Sequence, residues 1–300
     1  MASCATSALL IELLAAPKPG LVDRHKDLRE LNAFRMQASA SALYRWFYHA
    51  AELGQKGLRS GELGRLVLSA VKSSLSAQSG GNAHLGAILL LMPLCVAAGS
   101  SLRFEEEIRD VRLRRSVRKV IASANWRDTR DVFNAIRVVK PAGLGDVAFL
   151  DVKSDRTYVE VEDKRVKLVD ALSAYRGRDL VADELIDGYP MTFDVCLREM
   201  RRVLRATGDL NRAAVHGLLA VMAERADSHI VRRKGRHMAH YARDLARRAL
   251  RDGGVLTERG RKLLKQMDSA FREMDVRPGS SADILDAAVF VLLLVDRVKP

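Results

Sequence analysis

The chain has 300 residues, 48% of them hydrophobic and 29% charged, with a formal net charge of +13. This balance is that of a globular protein with a sizeable core. At 5% aromatic residues, with no zinc-finger or RNA-recognition signature, neither a single-strand stacking surface nor specific nucleic-acid binding is expected. The excess charge suits an anionic partner, or simply solvated helix faces.

Hydrophobic spacing predicts a first helix over 3–16. It has no basic residue before Lys18 and carries Glu12 in its apolar part, so it does not read as a signal peptide. The loop "PKPGLVDRHKD" then packs Lys18, Asp23, Arg24, His25, Lys26 and Asp27 into ten residues. Both charge signs at that density suit polyphosphate binding, with Lys or Arg on phosphate and Asp on a metal or hydroxyl. An exposed, self-paired loop reads equally well. Helices over 31–53 and 61–78 follow. Next, "SGGNAHLGAILLLMPLCVAAG" runs from a polar turn into an apolar helix over 84–98. Asn82 can cap it, and the glycine-lined mouth, with Gly86 and its free N–H groups, can receive an anion. Pro93 should kink this helix. The apolar run falls short of the ~20 residues of a membrane span, so no span is expected.

Helices over 104–125 and 129–139 lead to "KPAGLGDVAFLD", where Gly143 and Gly145 permit close approach to a ligand beside Asp146 and Asp151. It is not a Walker loop. "TYVEVEDKRVKL", 157–168, alternates β-branched and charged residues and predicts a small surface hairpin. A helix over 168–187 would place Asp179, Asp183 and Asp187 on one face, beside Arg178. A divalent metal or neighbouring arginines would offset their repulsion. After helices over 192–206 and 210–225, "ADSHIVRRKG" groups Asp227, His229, Arg232, Arg233 and Lys234. Helices over 237–251 and 257–274 precede "PGSSADILDAAVF", where Ser280 and Asp283 resemble a capping box opening a helix over 281–298. The expectation is one all-α domain over 1–300, about twelve helices with the small hairpin. Cys4, Cys95 and Cys196 lie far apart in no metal spacing, as free thiols of a reducing compartment do.

In order, "LLIELLAAPKPGLVDRHKD", "GGNAHLGAILLLMPLCVAAG", "KPAGLGDVAFLDV", "GRDLVADELIDGYPMTFD", "ADSHIVRRKG" and "RPGSSADILDAAVF" resemble the motifs of the triphosphoribosyl-dephospho-CoA synthases over nearly the whole chain. The resemblance implies a helical, cytoplasmic enzyme with ATP and 3′-dephospho-CoA as substrates. Such enzymes join C1 of the ATP ribose to the 2′-hydroxyl of the acceptor ribose and release adenine. It implies Lys18, Arg24, Arg178, Arg232 and Lys234 on phosphates, Asn82 and Gly86 against the nucleotide, and Asp179 and Asp183 on Mg²⁺. Asp27, His84 and Asp146 become candidates for base, acid or hydroxyl contacts. A homo-oligomer is left open.

Two departures bear on the acceptor. "DRHKD" is compressed relative to the longer first loop usual in the family, and Leu85 stands where a lysine is usual. In these the chain looks closer to a divergent branch, some of whose members accompany methanopterin- or methanofuran-type coenzyme synthesis. Rival classes are a nucleic-acid binder driven by charge and a non-catalytic scaffold.

Overall fold

A computed structural model describes residues 1–82, 84–103, 107–141, 143 and 149–299. Among them are fourteen α-helices, a π-helical stretch and one 3₁₀ turn, with no sheet.

The centre is α4, Leu85–Leu102. It is long and apolar enough to cross a bilayer, but 78% of it is buried inside the fold. A helix apolar on every side needs protein on every side. Here α2 (Ala33–Lys56), α3 (Glu62–Ser76), α5 (Asp110–Ser123) and α14 (Gly279–Val295) pack against it. Backbones of α2 and α4 approach so closely that a Cβ on Gly54 would lie 2.0 Å from Val96 O, and one on Gly99 2.0 Å from Ala51 O. α14 is likewise buried nearly all round and packs on both α4 and α1 (Ala2–Leu14). Pro93 lies inside α4, and the Tyr189 hydroxyl donates to Leu90 O at 2.9 Å in the turn before it.

Chain order continues with α6 (Trp126–Val139), α7 (Asp155–Asp163), α8 (Leu168–Ser173) and α9 (Leu180–Asp187). The expected hairpin over 157–168 is instead α7: Thr157 and Val161, four apart, are both buried on its inner face. Strand propensity lost to burial at helical spacing. The single helix expected over 168–187 is broken between α8 and α9 by a turn, with Asp179 as the cap of α9. Buried Glu184 accepts from Met191 N at 2.7 Å and Thr192 N at 2.9 Å, fixing the start of the π-helical Met191–Leu197. That stretch runs on into α10 (Arg198–Thr207), followed by α11 (Leu210–Glu224), α12 (Ser228–Arg251) and α13 (Glu258–Glu273). α12 begins nine residues before the expected 237 and is broken at Gly235, whose φ of 87° is left-handed.

Candidate active site

The N-terminal turn of α4 forms one wall of a cavity of about 580 Å³, a size suited to a small-molecule ligand. Its first free N–H, that of Leu85, is taken by Asn82 Oδ1 at 2.9 Å. The N–H of Ala87 goes to the carboxyl of Asp283, which reaches across from α14. A carboxyl oxygen there satisfies one of the donors that a helix start leaves free. Gly86 makes this contact possible, because a Cβ there would lie 2.1 Å from Asp283 Oδ2 and 2.4 Å from its Cγ. The capping box expected of Ser280 and Asp283 within α14 is therefore replaced by a cap between helices.

His84 is 3% exposed and lines the same cavity. Its Nδ1 lies 2.8 Å from Ser39 Oγ, which in turn lies 2.5 Å from Ser74 Oγ. Nε2 is buried with no partner among the described residues. Burial, reinforced by the positive charge of Lys18, lowers its pKa to about 4, so the imidazole is neutral at pH 7.

The floor is acidic. Glu12 of α1 and Asp283 and Asp286 of α14 line it together. Lys18, buried beneath, forms an ion pair with Glu12. Two carboxyls remain against that pair, Asp283 half-buried at the cavity surface and Asp286 buried, and Asp286 Oδ1 has no partner among the described residues. Burial first, then the charges of Asp227, Glu12 and Asp179, push Asp283 up to about 8. Burial, Glu12 and Asp283 raise Asp286 well above the carboxylate range, against the pull of Lys18. Neighbouring carboxyls in low dielectric cannot all ionise. The site thus holds a carboxylic acid at neutral pH, facing an open cavity. Asp227 supplies the frame: its carboxylate accepts from His229 N and Ile230 N at the head of α12 and from Ser281 N, 2.7 Å, at the head of α14.

The remaining walls come from the segments singled out in the sequence. Asp179 and Arg232 pair with one another on one side, and Leu21, Val22, Phe133 and Ile136 give an apolar side. Asp179 also accepts from Val181 N at 3.0 Å and Ala182 N at 3.1 Å. A second cavity of about 610 Å³ shares Tyr175, Asp179 and Arg232 with the first and is lined by Arg178 and Asp183. Asp183 is held by Arg225 at 2.9 Å and by Gly177 N at 2.8 Å, and Asp187 by Arg176 at 2.9 Å. The three aspartates expected on one metal-facing side are each engaged by a different arginine. Among the described residues no group of three His, Cys, Asp or Glu side chains stands ready to hold a metal.

Several expected residues line neither cavity. Lys18, expected on phosphate, is fully buried in its ion pair with Glu12, Arg24 is exposed and donates to Asn211, Asp27 accepts from Ala33 N at 2.8 Å, and Lys234 pairs with Asp275 at 3.5 Å. Asp146 lies outside the described residues. A larger hollow of about 900 Å³ shares no residue with the two cavities, and its central Arg201 is neutralised between Asp110 and Asp296. Unpartnered buried groups, not volume, favour the cavity at α4: of the five described residues with such an atom, His84, Arg232 and Asp286 line it.

Residues 1–299 match the family described as ATP:dephospho-CoA triphosphoribosyl transferase. The chain belongs to that family. It is 28% identical over 305 residues to a protein of Lactiplantibacillus plantarum, covering 97% of this chain and 96% of that protein. It is 27% identical over 287 residues to one of Pectobacterium atrosepticum, covering 93% and 83%. Both carry the name 2-(5''-triphosphoribosyl)-3'-dephosphocoenzyme-A synthase, the first as a probable assignment. A crystal structure from Archaeoglobus fulgidus, described as a candidate triphosphoribosyl-dephospho-CoA synthase, superposes with a TM-score of 0.66 at 24% identity, covering 86% of this chain and 96% of that one. It shares the fold.

Within this family member, the residues that the sequence did not mark as part of the site are Glu12, Asp283 and Asp286, the second expected only as a cap. A signal was available: each is an acid inside an otherwise apolar helical run, "LLIELLAA" or "ADILDAAVF". Such residues are rarely buried unless paired or used.

Proposed function

We propose that this transferase moves the 5-triphosphoribosyl group of ATP to the 2′-hydroxyl of 3′-dephospho-CoA and releases adenine, at the cavity beside α4. The bond from C1 of the ribose to adenine breaks, and a bond from C1 to the acceptor oxygen forms. Adenine must gain a proton and the hydroxyl must lose one. The observation that carries the reading is Asp283: a cavity-facing carboxyl wedged against Gly86 and raised to about 8 by its surroundings. In that state it can protonate a departing base, a contribution worth ~10²–10⁴-fold in rate. His84, neutral and with Nε2 open, is the group for the acceptor hydroxyl, in the tautomer whose Nδ1–H donates to Ser39. An oxocarbenium-like C1 over an acidic floor is stabilised by its charge. Asn82 and Gly86 shape the mouth at the nucleotide. Lys18 acts from below, through Glu12, on the charge of the floor.

A Mg²⁺ ion carried by the nucleotide would neutralise charge on its phosphates. It commonly takes one or two carboxylates plus substrate phosphates and keeps waters. Asp179, on the wall common to both cavities, fits that mode; a preformed protein cage does not. Asp183, which lines the second cavity alone, would be the further carboxylate.

The test is incubation with ATP, Mg²⁺ and dephospho-CoA, with free adenine read by chromatography. Adenine release that depends on dephospho-CoA is expected. Release only with a pterin or furan coenzyme precursor assigns the acceptor to the divergent branch. No release with any acceptor rejects the reading.

A further inference from the structure

The second cavity is the more basic of the two: in the first, Lys140 and Arg232 stand on the wall above the acidic floor, and Arg233 and Arg277 are both held by Asp275. The wall of the second carries Arg178, Arg225, Arg232, Arg236 and Arg243, against Asp179, Asp183 and Glu224. Arg225 is paired with Asp183 and Arg232 with Asp179. Arg236 has no ion-pair partner among the described residues, and Arg243 pairs only with its exposed neighbour Asp244 at 3.4 Å. Arg232 spans both cavities, and its Nε is buried without a partner among the described residues. Gly235 breaks α12 just before Arg236, with open space around it. The break separates the turn carrying Arg232 from the run carrying Arg236 and Arg243, and both line one cavity. Guanidinium groups gathered this way match the oxygens of a phosphate chain.

We infer that this arginine-lined cavity is the subsite for the triphosphate of the nucleotide substrate, entered from the acidic cavity past the shared wall of Tyr175, Asp179 and Arg232. The assignment rests on the reading that the ribose sits over the acidic floor. From there a 5′-triphosphate is repelled by the carboxyls, and the common wall opens onto the larger group of arginines. Arg232 is the hinge of the arrangement, since its unsatisfied Nε stands where the two cavities meet.

The probe is inorganic tripolyphosphate, titrated calorimetrically into the full chain without other substrates, for wild type, Arg236→Gln and Arg236→Gln/Arg243→Gln. Both side chains are outside the core, so folding should survive, and circular dichroism checks it. Binding should weaken at least ~10-fold in the double variant as charge-assisted contacts are lost, with the single variant in between. Pyrophosphate should bind wild type more weakly than tripolyphosphate. In turnover, the KM for ATP should rise at least ~10-fold while the KM for dephospho-CoA stays unchanged. Equal tripolyphosphate binding by wild type and double variant overturns the assignment. So does a rise confined to the KM for dephospho-CoA, which would place the acceptor's pyrophosphate there. Arginine-dependent tripolyphosphate binding without adenine release would uphold this subsite while rejecting the proposed reaction.

Discussion

Gly86→Ala isolates the contact on which the chemistry rests. The added methyl would start 2.1 Å from Asp283 Oδ2, 2.4 Å from Cγ and 2.9 Å from Oδ1. Ordinary contact needs more than 3 Å, so the carboxyl must retreat by roughly 1 Å. It cannot do so and keep the N–H of Ala87. Overpacking costs about 1–3 kcal/mol and the lost hydrogen bond about 1 kcal/mol, while alanine returns at most ~1 kcal/mol of helix propensity. The net is a destabilisation of about 1–3 kcal/mol, or roughly 2–10 °C in Tm. Turnover should suffer more, since a 1 Å misplacement can cost ~10²-fold. The assay is adenine release at matched folded fraction, with Tm from calorimetry. Wild-type turnover together with an unchanged or raised Tm would refute the reasoning, because the methyl would then have displaced nothing that matters.

Asp283→Asn should abolish the alkaline limb of the kcat/KM profile: an acid with a pKa of about 8 works below that value and is lost above it. The same shift is a stability statement. A carboxyl raised in the folded state stabilises most below its unfolded value of 3.8 and loses that contribution as pH rises through about 8, so the Tm of wild type should fall across this window and that of Asp283→Asn should fall less; parallel Tm curves would count against a raised Asp283. His84→Gln, which retains a polar group against Ser39, should lower turnover at least ~10-fold with little change in Tm; full activity would remove the imidazole from the reaction. Tyr189→Phe deletes the bond to Leu90 O and should cost about 1 kcal/mol in denaturant unfolding without changing KM; a changed KM would make Pro93's turn part of the site.

What the sequence disclosed depends on how far each signal reaches along the chain. Helical periodicity is local, so the all-α class and most elements were legible, α4 above all, whose apolarity on every side already implied the centre of a core. The hairpin expected at 157–168 failed because alternation and i,i+4 spacing coexist in "TYVEVED", and only the partner surface against Thr157 and Val161 decides between them. Asp179, Asp183 and Asp187 failed as one face for the same reason: the turn before Asp179 and three separate arginines are matters of tertiary position. Conversely, Asn82 and His84 were readable because a cap and a helix mouth are local features. Asp283 was readable only by half. Its spacing from Ser280 suggested a cap, and a cap it is, but of α4 and not of its own helix. The difference is functional. A carboxylate capping its own exposed helix is solvated and ordinary, whereas one brought across onto another helix, over Glu12 and Asp286, is desolvated beside like charges. Gly86 records that relation in the sequence: one side chain's absence in one motif is explained only by a carboxyl nearly two hundred residues away.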